Sequence, residues 1–315
     1  MPQSRKKITV VSACLNEQEN IESVQRQIKN VFYELPQYDY EHIFIDNAST
    51  DDTVKILKNI AKEDSRVKII VNTRNFGHIR SPFYAILQAR GDAVVTFVSD
   101  LQDPPALIKD FVKKWEEGYK IVIGVKNESD ENALMFFVRK LYYNLIKKFA
   151  EVEQIKNFNG FGLYDQRFIE ELRKLDDPYP YFRGLISEIG FPRYEIEYKQ
   201  TKRKSGRSKN NFYTLYDMAM LGFVSHSKLP LRLASFIGFG ASIISFFLGL
   251  AYLIYKLLFW YSFELGLAPL IIGLFFFASI QLFFIGVIGE YIGAIYTQVR
   301  KRPLVVEKER VNFDQ

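Results

Sequence analysis

Residues Ala93–Pro105 read AVVTFVSDLQDPP, an apolar run of strand length that ends in a serine, two aspartates and a glutamine. A similar apolar run, ITVVSACL, covers Ile8–Leu15. His42–Asp46 and Val67–Val71 lie between them and are also strand-like, and helical patterns separate the four runs. Strands that alternate with helices predict an α/β fold: a mostly parallel, Rossmann-like sheet with helices on both faces.

Four helices and a fifth strand complete the predicted pattern: helices over Glu17–Leu35, Thr50–Lys62, Arg80–Ala89 and Pro104–Glu117, and a strand over Lys120–Gly124. Ser49 or Thr50 is the expected cap of the second helix, because a hydroxyl accepts a hydrogen bond from a free backbone N–H there. Pro82 is expected in the first turn of the third helix, where its missing N–H costs nothing.

Acidic side chains follow three of these strands. Asp46 ends the second, Asp100 and Asp103 follow the fourth, and Glu17 follows the first. Ligands on such sheets bind at the carboxyl ends of the strands. Carboxylates that converge there indicate a hard divalent cation, Mg²⁺ or Mn²⁺. The alternative is that Asp46 and Ser49 serve only as turn and cap residues.

Two uncharged segments dominate the C-terminal third, Leu233–Tyr255 and Leu265–Gly289. Each exceeds the roughly 20 residues that a helix needs to cross a bilayer. The alternative is a pair of buried helices in a soluble core. Basic residues flank the outer ends of the pair, and the short connector around Ser262–Gly266 carries only Glu264, so both chain termini are expected in the cytoplasm. Lys256, just after the first segment, can extend to the interface from near the helix end. Small residues in the first segment would suit helix association and a homo-oligomer.

Composition narrows the possible partners only a little. The formal charge of +6 fits an anionic membrane, a phosphate-bearing substrate or nucleic acid. The single cysteine, Cys14, excludes an intramolecular disulfide framework. Between Tyr198 and Tyr216 the chain has no acid but many lysines and arginines. This segment is either a phosphate-binding loop or a patch that attracts anionic lipid. Nucleic acid is not an expected partner, because the basic residues lie beside the membrane segments and no recognition motif is evident.

The ordered motifs resemble the family-2 glycosyltransferases, in particular the polyprenyl-phosphate sugar transferases of the dolichol-phosphate mannose synthase and bactoprenol glucosyltransferase type. SDLQDPP is the most specific match, since it lies where the family has a metal-binding Asp-x-Asp-Leu-Gln. The other matching segments are TVVSACLNEQENI (9–21), IDNASTDDT (45–53), RNFGHIRSPFYAILQARGD (74–92), RKSGRSKNNFYTLYDMAMLG (203–222) and SKLPLRLA (227–234). Together they cover nearly the whole chain.

The resemblance implies a GT-A-like fold that transfers one sugar, with inversion, from a UDP- or GDP-sugar to a polyprenyl phosphate at the cytoplasmic face of a membrane, here a bacterial inner membrane. It implies that Asp100 and Gln102 hold the metal and act in catalysis together with Arg203. The implied acceptor-phosphate residues are Arg203, Arg207, Ser208 and Lys209. The implied donor-binding residues are Ala13, Leu15, Asn16, Glu17, Asp46, Asn75, Gly77, Ser99 and Asp100.

Three positions depart from the family pattern. Val98 stands where the first aspartate of the metal motif is expected, and Asn47 where the nucleotide segment has a second aspartate. Gly160 stands where a proposed catalytic carboxylate is often found. Two alternatives therefore stay open: a transferase with an unusual donor or acceptor, or an inactive member that serves as a membrane scaffold or partner subunit.

The predicted organisation has four parts. A catalytic domain covers 1–211, and a juxtamembrane amphipathic helix region covers 212–232. Two transmembrane helices lie within 233–295, at about 233–258 and 265–292, and a cytoplasmic tail covers 296–315.

Overall fold

A computed structural model of the chain describes residues 5–127, 155, 157–200, 229–259 and 267–313. The strands are β1 (Lys7–Cys14), β2 (Asp39–Asp46), β3 (Val67–Asn72), β4 (Ala93–Thr96), β5 (Ile121–Lys126), β6 (Gly162–Asp165), β7 (Arg193–Tyr198) and β8 (Glu307–Val311). The helices are α1 (Ile21–Tyr33), α2 (Thr53–Glu63), α3 (Gly77–Gln88), α4 (Leu107–Glu116), α5 (Gln166–Lys174), α6 (Phe182–Ile189), α7 (Leu229–Leu258) and α8 (Leu267–Val299).

The strands form one sheet in the order β7-β5-β6-β4-β1-β2-β3-β8. Strands β4, β1, β2 and β3 are parallel neighbours, and β5 is parallel to β7. Strands β6 and β8 run antiparallel to their neighbours. The predicted α/β class with a mostly parallel sheet is confirmed.

Two apolar cores lie on opposite faces of this sheet. Side chains alternate along each strand, so Val10 and Phe44 pack on the face covered by α1, α2 and α4. Val11 and Ile45 pack on the other face, beneath α3, α5 and α6. Burying one such side chain contributes about 1.5–3 kcal/mol relative to leaving it exposed.

The start of β4 is attached to the start of β1. The backbone N–H of Gly91 donates to the Thr9 hydroxyl oxygen at 3.0 Å, and the Asp92 N–H donates to the Lys7 carbonyl at 2.7 Å. A Cβ atom on Gly91 would lie 2.7 Å from that same Lys7 carbonyl oxygen. Only glycine therefore lets β4 approach β1 this closely.

The C-terminal segment forms an edge strand of the sheet. Strand β8 pairs antiparallel with β3, and the Thr73 N–H extends the ladder to the Val306 carbonyl at 2.9 Å. Because β8 is antiparallel to β3, the chain that leaves α8 arrives at the carboxyl end of β3. Within 296–315, predicted only as a tail, the described residues include the end of α8 and this strand.

Helices α7 and α8 are long and apolar enough to cross a membrane, over Leu233–Leu258 and Gly273–Val299, with mean hydropathies of 2.1 and 1.8. The most apolar part of each is 0% buried, so neither helix packs into the core of the sheet domain. The second segment extends seven residues beyond the predicted end at 292, to Val299. The proposed boundary at 211 stays a prediction, because residues 201–228 lie outside the described part. The boundary at 232 stays one too; α7 begins before it, at Leu229, and the apolar segment begins at Leu233.

Two local predictions were wrong. Helix α2 begins at Thr53 after Asp52, without a side-chain cap bond. Ser49 instead donates its hydroxyl to Asp46, which is buried and needs that donor. Helix α3 begins at Gly77, so Pro82 lies inside the helix and not in its first turn.

Asn312 allows a test of how β8 is held. This residue has a φ of 59° and donates from Nδ2 to the carbonyls of Ala61 at 2.7 Å and Val67 at 2.9 Å. Asn312→Asp removes both donors and places a carboxylate against two carbonyl oxygens. We expect the free energy of unfolding to fall by about 1–3 kcal/mol, measured by denaturant unfolding of the full chain in detergent. Asn30→Asp adds the same charge at an exposed position of α1, and an equal loss in both variants would contradict this role.

Candidate active site

The carboxyl ends of β1 and β4 lie where the strand order reverses, the place at which sheets of this class form a ligand-binding crevice. Strand β1 pairs with β2 on one side and with β4 on the other, so the loops that follow β1 and β4 leave in different directions. The Ser99 hydroxyl donates to the Ala13 carbonyl at 3.0 Å and holds the loop after β4 against β1. This is the position where α/β sheets bind ligands.

The loops that follow β1 and β2 are joined by hydrogen bonds. The Asn16 N–H donates to the Ser49 hydroxyl at 2.8 Å, and the Asn16 side-chain oxygen accepts from the Thr50 N–H at 2.8 Å. Asn16 has a φ of 55°, a left-handed conformation that asparagine tolerates better than most residues. The Glu17 N–H donates to the Thr53 hydroxyl at 2.9 Å. These two loops therefore form one rigid wall of the crevice.

Asp46 organises this wall from within. Its carboxylate accepts from the backbone N–H of Ser49 at 2.9 Å and from the Ser49 hydroxyl, and the Cys14 thiol lies 3.9 Å away. Burial raises the pKa of the Asp46 carboxyl, although the Ser49 bonds oppose that shift. Since the side chain is 0% exposed, it shapes the loop, and direct contact with a donor stays a prediction.

Asn47 connects the ends of β2 and β3. Its Nδ2 donates to the Asn75 side-chain oxygen at 2.9 Å and to the Gly77 carbonyl at 3.1 Å. Its Oδ1 accepts from the Phe76 N–H at 2.8 Å and from Asn72 at 3.2 Å. An aspartate has no donor for the first two bonds. Asparagine is therefore the residue that this network requires.

The loop after β4 presents Asp100 to the crevice. Ser99 and Leu101 are buried on either side, and Leu101 takes a φ of 55°. Asp100 itself is only half-buried, and its Oδ1 accepts from the Gln102 N–H at 3.1 Å. The predicted pair Asp100 and Gln102 is thus held together, with a carboxylate that a ligand can approach.

Asp103 has a different position from Asp100. It is 1% exposed, and its carboxylate accepts from Tyr198 at 2.5 Å, Asn159 at 2.7 Å and Gln200 at 3.3 Å. Burial and the adjacent Asp103 charge raise the pKa of the Tyr198 hydroxyl, which therefore stays a donor. Asp103 ties the loop after β4 to β7, and its expected part in metal binding is not favoured.

Two cations near this loop were missed by the sequence prediction. Lys126 ends β5, and burial lowers the pKa of its amine, while the charges of Asp103 and Asp100 oppose that shift and Arg183 adds to it. Lys126 therefore lies close to the acidic loop, and Arg183 lies close to Lys126. The predicted fifth strand ended at Gly124, two residues early. Lys126 was therefore not recognised as a residue at the carboxyl end of a strand, where ligands bind.

The structure brings the predicted donor residues to neighbouring strand ends. Ala13 lies with Ser99, Asn16 and Glu17 lie with the loop after Asp46, and Asn75 and Gly77 lie with Asn47. Leu15 lies in the loop after β1, between these groups. The four acceptor-phosphate residues, Arg203, Arg207, Ser208 and Lys209, lie outside the described residues, so their role stays a prediction.

The donor set is compatible with a divalent metal shared with a ligand. Among the described residues no three His, Cys, Asp or Glu side chains lie close enough together to hold a metal ion. Of the three predicted aspartates, Asp100 is the approachable one, because Asp46 and Asp103 are buried and bonded. Mg²⁺ is commonly held by one or two carboxylates together with substrate phosphates and water. The residues present fit that kind of site.

A family model described as "Glycosyl transferase family 2" matches residues 9–177, more than half of the chain. This chain belongs to glycosyl transferase family 2. The uncharacterized glycosyltransferase YkcC of Bacillus subtilis is 33% identical over 309 residues, covering 97% of this chain and 94% of that protein. A prophage-derived bactoprenol glucosyl transferase of Shigella flexneri is 32% identical over 304 residues, covering 96% and 98%.

Among solved structures, a Pyrobaculum calidifontis mannosyltransferase in complex with GDP-Man and Mn²⁺ aligns with a TM-score of 0.49 at 17% identity. The alignment covers 95% of this chain and 88% of that one.

The family assignment makes this chain a glycosyltransferase. The structure also shows the surroundings of the positions at which the chain differs from the family pattern. Val98, at the first metal-motif position, is 39% exposed and presents an apolar surface beside Asp100. Gly160 has a φ of 105°, and its carbonyl accepts from the hydroxyls of Thr96 and Tyr164. A residue with a side chain would be strained at that φ, so a carboxylate does not fit this backbone.

The Asn47 network predicts that the family's usual residue is harmful here. Asn47→Asp removes the donor to the Gly77 carbonyl and one of the two donors to the Asn75 side-chain oxygen, and it buries a charge between these acceptors. We expect the free energy of unfolding to fall by about 1–3 kcal/mol, measured by denaturant unfolding of the full chain. Asp52→Asn changes a side chain that is 66% exposed and is the reverse control, with no more than a small effect. A stabilised Asn47→Asp variant would refute the network.

Proposed function

We propose that this glycosyltransferase moves a single sugar from a UDP- or GDP-sugar to a polyprenyl phosphate at the cytoplasmic face of the membrane, with inversion. One observation carries the proposal. Strand β8 runs antiparallel to β3, so the chain after α8 reaches the sheet at the carboxyl ends of the parallel strands. Asp100 follows the carboxyl end of β4 and lies on that same side of the sheet. A soluble donor and a lipid acceptor can meet only at such a junction.

The donor is held by the loops that follow β1, β2, β3 and β4. The joined wall of Asn16 and Ser49 and the network around Asn47 give these loops a fixed shape before the donor binds. Preorganised loops lower the entropic cost of orienting a substrate. Asp100 faces the diphosphate end of the donor, together with Gln102.

A bound Mg²⁺ or Mn²⁺ would neutralise charge on the leaving diphosphate. Asp100 supplies its carboxylate ligand from the chain, and Gln102 lies beside it. Lys126 adds a positive charge close to Asp100 and Asp103. The chain therefore stabilises developing negative charge with fixed groups, which is the most effective form of electrostatic catalysis.

The acceptor explains why a strong general base is not required. A phosphate oxygen is already a competent nucleophile, so the enzyme has to align it and exclude water. Gly160 at the usual carboxylate position is consistent with such an acceptor. Arg203, Arg207, Ser208 and Lys209 are our candidates for holding the acceptor phosphate.

The topology follows from the pairing of β8 with β3. These strands can pair only when the chain before α7 and the chain after α8 lie on the same side of the membrane. Arg300, Lys301 and Arg302 follow α8, and basic residues favour the cytoplasmic side. Nucleotide sugars are then available to the crevice, and both termini lie in the cytoplasm of a bacterial cell.

Transfer by the full chain in detergent tests the proposal. We expect label from a UDP- or GDP-sugar to appear in undecaprenyl phosphate when Mg²⁺ or Mn²⁺ is present. Asp100→Asn should lower transfer by about 100-fold or more and abolish the effect of metal on nucleotide affinity in calorimetry. Asp110→Asn, at an exposed position of α4, is the matched control. Nucleotide binding without transfer from any donor would favour the scaffold alternative.

The acceptor residues have a separate test. Arg203→Gln and Lys209→Gln should each raise the KM for undecaprenyl phosphate by roughly tenfold or more, since each removes a charge-assisted hydrogen bond. Nucleotide affinity should stay close to that of the unaltered chain. Lys204→Gln removes a charge from the same segment and serves as the control. Equal effects of all three substitutions would reduce the segment to a membrane-surface patch.

A further inference from the structure

Two arginines at the end of β3 stack against one phenylalanine. The guanidinium carbon of Arg74 lies 4.0 Å from the centroid of the Phe76 ring, and that of Arg80 lies 5.5 Å from it. Phe76 is buried, Arg74 is exposed and Arg80 is half-buried. The ring therefore holds two positive charges close together at the surface.

No acid neutralises this pair within the described residues. Arg74 donates to the carbonyl of Asn75 at 3.0 Å, and Arg80 donates to the carbonyl of Pro303. The Nε of Arg80 is buried and has no hydrogen-bond partner. Burial lowers the pKa of Arg80, and the charge of Arg74 adds to this shift. An anion that bound both guanidinium groups would remove this repulsion.

The pair lies beside the end of α8. Pro303 is four residues after Val299, a distance of at most about 14 Å for an extended chain. Gln298 donates to Asp177 at 2.9 Å, and Lys301 pairs with Asp176 at 2.5 Å, so the end of the helix is attached to the loop before α6. If α8 spans the membrane, as the proposed function requires, Arg74 and Arg80 face the phospholipid headgroups.

The pair is separate from the reacting phosphates. Arg74 follows β3 and Asp100 follows β4, and the order β4-β1-β2-β3 places three strand spacings between them. At about 4.8 Å for each spacing, the two positions are about 14 Å apart. The donor diphosphate and the acceptor phosphate must both lie near Asp100, so neither can neutralise the arginine pair.

We propose that Arg74 and Arg80 form a binding site for the phosphate headgroup of an anionic membrane phospholipid. A guanidinium can hold a phosphate through two parallel hydrogen bonds, and two of them facing one headgroup distinguish it from a zwitterionic lipid. Bound lipid anchors the edge of the sheet formed by β3 and β8 to the bilayer. It thereby fixes the orientation of the crevice toward the membrane surface.

Binding of short-chain phosphatidylglycerol to the detergent-purified full chain tests the site without using transfer. Arg74→Gln/Arg80→Gln should weaken binding by about fivefold for each arginine removed. Glutamine is two bonds shorter than arginine and does not reach the Pro303 carbonyl, so Arg74→Gln alone, which leaves that contact in place, is measured beside the double variant. Arg74→Lys/Arg80→Lys keeps both charges and should retain part of the affinity. Arg26→Gln/Lys62→Gln removes two exposed charges elsewhere and should have no effect.

Three further measurements separate the outcomes. An unchanged free energy of unfolding in every variant shows that the fold is intact; if the double variant fails this check, Arg74→Gln alone, at an exposed position, decides the question. Short-chain phosphatidylcholine and inorganic phosphate should both bind more weakly than phosphatidylglycerol. Phosphate binding as tight as the lipid, or unchanged lipid binding by the glutamine variants, would overturn the proposal. A chain that binds phosphatidylglycerol through these arginines but transfers no sugar would overturn the proposed function alone.

Discussion

The parallel pairing of β4 with β1 is the constraint on which the site depends. Gly91 and Asp92 attach the start of β4 to the start of β1, and the Ser99 hydroxyl attaches its end to Ala13. With β2 on the opposite side of β1, the loops that follow the strands must separate above β1. The strand order therefore determines where the crevice lies, and the side chains of the loops determine which ligand groups it can bind. The glycine before β4 is as necessary to the site as the aspartate after it.

Burial divides the three aspartates into different roles. Asp46 and Asp103 are almost inaccessible, and each uses its carboxylate to collect donors from neighbouring segments. An ionised carboxyl is stable in such a place only when several donors face it. Asp100 is half-buried at the mouth of the crevice, where it can change partners when a ligand arrives. Asp46 and Asp103 therefore hold the loops in shape, and Asp100 is the aspartate that we propose contacts the ligand.

The sequence alone predicted β1 to β5 and the helices between them, because buried parallel strands are long apolar runs. It did not predict β8, whose sequence EKERV is charged and whose partner strand lies more than 230 residues earlier. An edge strand is partly exposed, so its composition carries little signal. In the site, Asp100 was predicted from its place after β4, and Gln102 from the resemblance of SDLQDPP to the family motif. The bonding of Asn47 was not predicted, because it depends on a backbone turn at Asn75–Gly77 that no local pattern reveals.

If α7 and α8 span the membrane, as the proposed function requires, the edge strand β8 also attaches the sheet domain to the bilayer. A domain joined to two membrane helices only by a flexible segment could rotate, and the crevice would face the acceptor for part of the time. Here the chain returns from α8 and pairs with β3, while Lys58 meets Glu309 at 2.6 Å and Lys301 meets Asp176. Exposed ion pairs contribute little stability by themselves, but a strand ladder next to them restricts rotation of the domain about the helix end. The orientation of the sheet domain relative to α7 and α8 is then fixed by the fold. Strand β7 precedes these two helices in the chain and β8 follows them, and the two strands form the two edges of one sheet.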